Sequence, residues 1–171
     1  LSSKLSNTLH HFFCYNSHME YKSPKQYPNQ VILQETEHWY ITLWENQYYL
    51  GRASIEYKDL SKKHLSDLSH EEIQELFSLI KDYEIALKKT FDTTNFNWTC
   101  LMNNQYKEKN KDNPEALHLH VWPRYQEKVE FNGKIFVDEV FAHHYDKHKE
   151  KYFDRNFLVV LADSILENWY E

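Results

Sequence analysis

The chain has 171 residues and a mass of 20.9 kDa, which is the size of one domain. Hydrophobic residues make up 41% and aromatic residues 16%, enough apolar surface for a core, so a wholly disordered chain is excluded. The 20 basic residues against 26 acidic residues give a net charge of −6, which argues against nucleic acid as the main partner. No apolar run approaches the roughly 18 residues of a membrane span, and the polar start lacks a signal peptide's apolar stretch. We therefore expect a cytoplasmic protein with no membrane partner.

Glycine and cysteine usage excludes several kinds of site. Gly51 and Gly133 are too few for a dinucleotide or P-loop site, because such sites need several glycines to bring backbone amides up to a phosphate. Cys14 and Cys100 lack CxxC spacing, which indicates neither a zinc knuckle nor a disulfide scaffold. If the protein handles phosphates, side chains must do much of the holding, and the chain has 11 histidines.

The first half of the chain predicts strands followed by a helix. Residues 1–30 are polar and predict an N-terminal extension, and a domain over 31–171 follows. Three segments then have the β-branched and aromatic content of sequential antiparallel strands: VILQET, HWYITLWE and QYYLGRASIEY. The segment DLSHEEIQELFSLIKDYEIALKKTF predicts a long helix, and Ser69 and Glu72 have the spacing of a capping box at its start.

The second half predicts two more strands and a second helix. Residues 96–102 indicate a strand, and a polar loop separates it from a strand at 116–124. Asp154 can cap a C-terminal helix of about 154–170, whose apolar residues form one stripe. No repeat or linker divides the chain. The prediction is one α+β domain with an antiparallel sheet of about five strands and two main helices.

The segment ALHLHVW at 116–122 carries the chemistry. Its apolar residues occupy alternate positions, so strand geometry sends His118 and His120 to the same face. Their β-carbons then lie roughly 6 to 7 Å apart, at which two imidazoles can reach different oxygens of one phosphoryl group. A neutral imidazole is available near pH 7, and a carbonyl that accepts from one ring nitrogen leaves the other free as a nucleophile. The alternative is that both histidines simply face solvent or satisfy a neighbour.

With Pro123 and Arg124 after it, this segment resembles the signature of the histidine triad family, His-φ-His-φ-His-φ-φ, which Pro-Arg frequently follows. Upstream features occur in that family's order over about 31–125: the strand pair with Gly51, the DLSHEEIQELFSLI helix and the NFNWTCLMN strand. The segment VEFNGKIFVDEVFAHHYDKH also resembles a tail of some bacterial members. The resemblance implies a histidine-triad-like α+β fold.

The resemblance also implies a function and roles for residues. His118 stands at the central histidine, which attacks the α-phosphorus of a nucleoside phosphate and forms a nucleotidyl-imidazole intermediate. His120 matches a phosphate-oxygen ligand that assists with charge or protons. Asn103 corresponds to a phosphate-contacting amide, and Asn113 preserves hydrogen bonding where members carry Ser or Thr, whereas Asp112 would repel phosphate unless turned away. The implied activity is nucleotide hydrolysis or nucleotidyl transfer on dinucleoside polyphosphates or related adenylated compounds.

The sequence departs from the signature at Ala116, where the family has its first histidine. The side-chain role is lost there, but the backbone carbonyl remains and can still orient His118. We expect an enzyme. The alternative is a non-catalytic nucleotide-binding or scaffold protein with a degenerate triad.

Other residues have two readings each. Trp44 and Tyr40 share one face of the second strand and either stack on a base or pack in the core. Arg52 follows Gly51 where the family often has Gly-His, so it either meets phosphate oxygens or forms a surface salt bridge. Arg124 either pairs with a carboxylate or reaches a distal phosphate.

Metal and partner expectations follow from the same residues. His143, His144 and His148 would place two histidines on one side of a helix, but no suitable carboxylate accompanies them, so a solvated helical face is favoured over a metal site. No cofactor is required, because the attacking imidazole is already neutral at pH 7. A divalent cation can accompany the substrate, a small-molecule nucleotide. Many relatives pair as homodimers, which leaves a homodimer open for this chain.

Overall fold

The computed structural model describes residues 20–108, 112 and 114–169. Five antiparallel strands form the main sheet in the order β1-β2-β3-β5-β4, and two short strands form a second sheet. This confirms the predicted α+β class with five strands and two main helices. The elements are β1 (Val31–Glu35), β2 (Trp39–Leu43), β3 (Ala53–Tyr57), α1 (His70–Phe91), β4 (Asn95–Thr99), β5 (His118–Arg124), β6 (Val129–Phe131), β7 (Lys134–Phe136) and α2 (Arg155–Leu166).

One face of the main sheet forms the hydrophobic core. Alternate residues of β2, β3 and β5 point to it, because successive side chains of a strand point to opposite faces. Both helices bury their apolar stripes in the same core cluster. Its fully buried members include Trp39, Ile41, Leu43, Ile55, Tyr83, Leu87, Leu117, Val121, Leu158, Leu161 and Ile165.

The predicted helix signals are confirmed at both helix starts. The Ser69 side chain accepts a hydrogen bond from the Glu72 amide at 3.2 Å, and the Glu72 carboxylate accepts one from the Ser69 amide at 2.6 Å. Asp154 caps α2 by accepting from the Phe157 amide at 2.9 Å. The helix itself ends at Leu166, earlier than the predicted 170.

The third predicted strand, QYYLGRASIEY, is too long. It begins at Ala53, because the Gln47 side chain bonds the carbonyls of Trp44 and Arg52 and accepts from the Gly51 amide, which stabilises a turn instead. Gly51 has a φ of 83°, in the left-handed region that favours glycine.

Three other predicted elements need correction. The fourth strand ends at Thr99 rather than residue 102, and the motif strand begins at His118 rather than 116. The segment that contains His143, His144 and His148 has no helix; it forms turns, and Arg124 binds the carbonyls of Val140 and His143. The predicted helix is therefore wrong, whereas the three histidines are exposed to solvent as predicted.

The segment before β1 packs on the domain. Arg155 donates hydrogen bonds to the carbonyls of Tyr21 (2.5 Å), Pro28 (3.3 Å) and Gln30 (2.6 Å) and to the Ser23 hydroxyl (2.6 Å). Residues 1–19 of the predicted extension lie outside the described residues, and the boundary at residue 30 stays a prediction. Within the described part of the chain, none of the helices has the length and apolarity that crossing a membrane requires.

Candidate functional site

The sheet face opposite the core carries polar and aromatic side chains in three parallel rows. Cross-strand pairing sets each row, because paired residues of neighbouring antiparallel strands point to the same face. We call this surface the polar face. From one end to the other, its rows are Tyr40, Glu56 and His118; then Thr42, Ser54, His120 and Thr99; then Trp44, Arg52, Trp122 and Asn97.

His118 is oriented by the main chain. Its Nδ1 lies 2.8 Å from the carbonyl oxygen of Ala116, and because a carbonyl can only accept, this nitrogen carries the proton. In the neutral ring the lone pair is then on Nε2. The His120 ring lies beside it, with the two ring centroids 4.7 Å apart, so the structure brings both predicted histidines together.

His120 is held among aromatic rings. Trp44 lies 5.0 Å and Trp122 5.3 Å from its ring centroid. Burial, with smaller contributions from His118 and Arg52, lowers the pKa of His120 to about 3. The ring is therefore neutral at pH 7 and can give a phosphate oxygen a neutral N–H donor, whereas a cationic role requires an anionic ligand that raises this pKa.

Arg52 is a partly buried cation next to the histidine pair. Its guanidinium carbon lies 4.7 Å from the Trp44 ring and 5.3 Å from the Trp122 ring. Burial lowers its pKa, and the described residues give its side chain neither a hydrogen bond nor an ion pair. A buried charge normally has a partner, so an anionic ligand would suit this position.

Arg124, two residues beyond Trp122, is satisfied by the protein itself. It makes two hydrogen bonds to the buried carboxylate of Asp138, at 2.6 and 3.1 Å, and further bonds to Asn97 and to two carbonyls of the segment between β7 and α2, which we call the tail. Of its two predicted roles, the structure supports pairing with a carboxylate. Arg124 therefore anchors the tail and has no free donor for a phosphate.

Several buried polar atoms of the polar face have no hydrogen-bond partner within the described part of the chain. Such orphaned groups are uncommon in folded proteins and often mark functional sites. Here these atoms belong to the row that contains His120 and the row that contains Arg52. They are Thr42 Oγ1, Thr99 Oγ1, His120 Nδ1, Arg52 Nε and Trp122 Nε1.

Trp44 belongs to this face rather than to the core. It is partly exposed, and its indole Nε1 donates to the Ser54 hydroxyl at 2.8 Å. Its ring contacts His120 and Arg52, so it shapes the site whether or not a base stacks on it. Tyr40 is also on this face, and its hydroxyl donates to the Glu56 carboxylate at 2.8 Å.

Of the two predicted asparagines, the structure describes Asn103 alone, and it does not join that side chain to the histidines. Asn103 is exposed at the start of a short 3-10 helix, Asn103–Tyr106, and among the described residues no contact links its side chain to His118 or His120. Asn113 lies outside the described residues, and Asp112 is exposed in a turn. The roles of both asparagines stay predictions.

Sequence reasoning missed Glu56, Ser54 and Tyr27. Glu56 is the cross-strand partner of His118, and the period of two along ASIEY places it on the same face as Arg52 and Ser54. That alternation could have identified it once the pairing of β3 with β5 was known. For Tyr27, burial, then the charges of Glu115 and Glu56, raise the pKa of the hydroxyl.

One group of side chains away from the histidine pair has the donor types of a metal site. Glu37, His38 and Glu75 place one ligand atom each within 4.8 Å of one another. However, His38 Nδ1 and its backbone amide already bind the Glu75 carboxylate, at 2.8 and 3.1 Å, and this hydrogen bond raises the pKa of His38. The cluster therefore joins the start of β2 to α1. The expectation that no metal is required stays a prediction.

No protein-family model matches the sequence, and no curated protein sequence matches it significantly. Solved structures do match. A histidine triad (HIT) protein from Sinorhizobium meliloti aligns with a TM-score of 0.63 at 14% identity, over 89% of this chain and 99% of that chain. A histidine triad protein from Bradyrhizobium japonicum aligns with a TM-score of 0.58 at 12% identity, over 83% and 92%. A hypothetical histidine triad nucleotide-binding protein from Sulfolobus tokodaii gives 0.57 at 14% identity, over 80% and 81%.

These alignments confirm the fold that the resemblance implied. The chain has the fold of histidine triad proteins, and the similarity extends over most of its length and most of theirs. Identities of 12–14% carry the fold and leave the activity to be argued from the side chains of the polar face.

Proposed function

We propose that this protein hydrolyses or transfers a nucleoside monophosphate by forming a nucleotidyl-histidine intermediate on His118. The substrate class is a dinucleoside polyphosphate or a related adenylated compound. The observation that carries this proposal is the hydrogen bond from His118 Nδ1 to the Ala116 carbonyl at 2.8 Å, because it leaves Nε2 as the free nucleophile. The name of the Sulfolobus tokodaii neighbour, a hypothetical nucleotide-binding protein, supports a nucleotide as the ligand.

The reaction has two displacement steps. In the first, the Nε2 lone pair of His118 attacks the α-phosphorus, and the bond from phosphorus to the leaving group breaks with its electrons on the leaving group. In the second, water attacks the same phosphorus, the P–N bond breaks, its electrons return to Nε2, and the water gives both of its protons to solvent, which leaves a doubly charged monophosphate. Nδ1 keeps its proton and its bond to Ala116 throughout, so the ring is regenerated in its starting form.

Two neighbours are suited to hold the phosphates. His120 gives a neutral N–H donor beside the attacking ring, with ring centroids 4.7 Å apart. Arg52, one row further along the face, supplies a cation that has no counter-ion among the described residues. Trp44 supports both by contacting each of them, and Asn103 and Asn113 are proposed to position the phosphates from the loop after β4.

Label capture tests the proposal. Wild-type protein is incubated with a dinucleoside polyphosphate labelled at the α-phosphorus and quenched, and the acid-labile label on protein is measured. We expect label on the wild type and a loss of roughly three orders of magnitude in His118→Ala. Ala116→Ser is the matched control: it keeps the carbonyl, so we expect capture within about threefold of wild type. Equal capture by His118→Ala would contradict the proposal.

A non-catalytic nucleotide-binding protein is the second candidate. Ala116 removes one triad side chain, and the neutral His120 ring lacks the charge that would help expel a poor leaving group. Binding of AMP by wild type and His118→Ala, with neither hydrolysis nor label on either, would favour this candidate.

A further inference from the structure

Glu56 is a carboxylate beside the proposed nucleophile. It pairs across the sheet with His118, and the neighbouring bond from the Tyr57 amide to the Leu117 carbonyl at 2.8 Å makes Glu56 and His118 a non-hydrogen-bonded pair. In such pairs the Cα atoms lie about 4.5 Å apart and the side chains are at their closest. A phosphorus bound at His118 would therefore lie next to the strand position that carries this carboxylate.

The carboxylate is held by neutral donors. Tyr40 donates to Oε2 at 2.8 Å, and the Ser54 hydroxyl donates to Oε1 at 2.9 Å. Trp44 in turn donates to Ser54 at 2.8 Å. Burial and the charge of Glu56 raise the pKa of Tyr40, so Tyr40 stays a hydroxyl donor. Within the described residues Glu56 forms no salt bridge, so no cation neutralises it directly.

Two lysines at this end of the face are held by another carboxylate, since Glu35 on β1 binds Lys22 at 2.9 Å and Lys58 at 3.1 Å. Burial, then Glu115 and Glu56, raise the pKa of Tyr27, so the charges of both carboxylates act on this one hydroxyl. Arg52 is two rows away, beside His120 and Trp44. Among the described residues, the row of His118 thus carries a carboxylate without a salt bridge, and the row of Arg52 carries a cation without one.

From this arrangement we infer that Glu56 is a specificity-determining residue that selects a singly charged phosphorus over a doubly charged one. A phosphate diester or the α-phosphate of an anhydride carries one negative charge, whereas a terminal phosphomonoester carries close to two above its second pKa of about 6. Repulsion from Glu56 acts more strongly on the doubly charged group. This deepens the proposed function, on which it rests: the site favours the internal phosphate of the substrate and disfavours a nucleoside monophosphate.

The same charge would assist product release. Hydrolysis of the nucleotidyl-imidazole converts a singly charged phosphoryl group into the doubly charged monophosphate. The product is then repelled by the carboxylate that tolerated the substrate.

The test measures binding, so it does not depend on turnover. Dissociation constants for AMP and for the 5′-methyl ester of AMP, which keeps a single charge, are measured by calorimetry at pH 7.5. Wild type is expected to bind the ester more tightly than AMP. Glu56→Gln is expected to improve AMP affinity roughly tenfold and ester affinity less than threefold, so the preference disappears.

Two variants separate charge from structure. Glu56→Asp keeps the charge and is expected to keep the preference for the ester. Glu130→Gln removes an exposed carboxylate from the two-stranded sheet and is expected to bind both ligands as wild type does. Thermal unfolding checks that each variant is folded.

The outcomes distinguish this inference from the proposed function. Unchanged or weaker AMP binding by folded Glu56→Gln, or no binding of either nucleotide by wild type, overturns the inference. The expected binding pattern without any label capture overturns the transferase and leaves the inference standing.

Discussion

The two faces of the five-stranded sheet bury different kinds of side chain and surround them differently. The core face buries aliphatic and aromatic residues such as Ile41, Ile55 and Leu117, none with measurable exposure, against the two helices. The polar face instead buries hydroxyls, an imidazole and a guanidinium, several of which lack hydrogen-bond partners in the described residues. One face supplies stability, and the other keeps unsatisfied groups where a polar ligand can use them.

The largest expected effect comes from removing the Arg124–Asp138 ion pair, whose charged groups, unlike Arg52 on the polar face, are paired within the protein. Arg124→Met leaves the Asp138 carboxylate, whose side chain is 1% exposed, without its counter-ion, and we expect a loss of about 3 to 5 kcal/mol in the free energy of unfolding. Urea denaturation measures it. The double variant Arg124→Met/Asp138→Leu should recover most of this loss, and an equal loss in both variants would contradict an electrostatic cause.

The next effect tests the core face. Ile55→Ala removes a fully buried side chain from β3 and is expected to cost about 3 kcal/mol of stability. Label capture per folded molecule should stay at the wild-type level, because the residue points away from His118. Val137→Ala, at a half-exposed position, is the control and should change stability by under about 0.5 kcal/mol. A matching loss of capture by folded Ile55→Ala would show that the faces are not independent.

A third effect depends on pH and on His120. The folded-state pKa of about 3 is below the usual value of 6.5, so the unfolded chain binds more protons between these values and stability falls as the solution is acidified. His120 should account for a loss of about 2 kcal/mol between pH 7.5 and pH 5. His120→Gln should flatten this part of the stability curve measured by urea denaturation. If the stability of His120→Gln falls between pH 7.5 and pH 5 as much as that of wild type, the depressed pKa of His120 is contradicted.

The smallest effect has the opposite sign. Thr42 is fully buried with an unpartnered hydroxyl, so Thr42→Val should raise the free energy of unfolding by about 0.5 to 1 kcal/mol. Thermal unfolding measures the change. Ser164→Val, where the hydroxyl donates to a backbone carbonyl at 3.0 Å on α2, is a comparison that should not be stabilised in the same way. A destabilised Thr42→Val would mean that the polar face is optimised for folding after all.

Local patterns predicted the elements and tertiary contacts decided their limits. The capping box of α1, the N-cap of α2 and the alternation in β2 and β5 are interactions or patterns between residues close in the chain, so they can be read from the sequence. The turn before β3 depends on a Gln47 side chain that hydrogen-bonds three backbone groups. Residue composition does not predict these hydrogen bonds, so the start of β3 was misplaced. The segment 143–148 was predicted to be helical. Instead it forms turns, and Arg124 binds the backbone carbonyls of His143 and of Val140 just before it.

The candidate site shows the same division. His118 and His120 were predictable because they share one strand and its period of two. Glu56 was not, because its place opposite His118 depends on how β3 pairs with β5. From the sequence, Arg52 and Arg124 could each either form a salt bridge or bind phosphate. The fold brings Asp138 to Arg124 and gives Arg52 no such carboxylate among the described residues.

The main-chain bond that orients His118 has a consequence for recognising related proteins. A backbone carbonyl is present whatever residue occupies position 116, so natural substitution there cannot delete the acceptor. A signature that counts three histidines rejects this chain. A signature that requires an extended strand with a histidine, and a second polar ring two residues later, retains it. Such a signature would group sequences by how the nucleophilic histidine is oriented and not by the number of histidines.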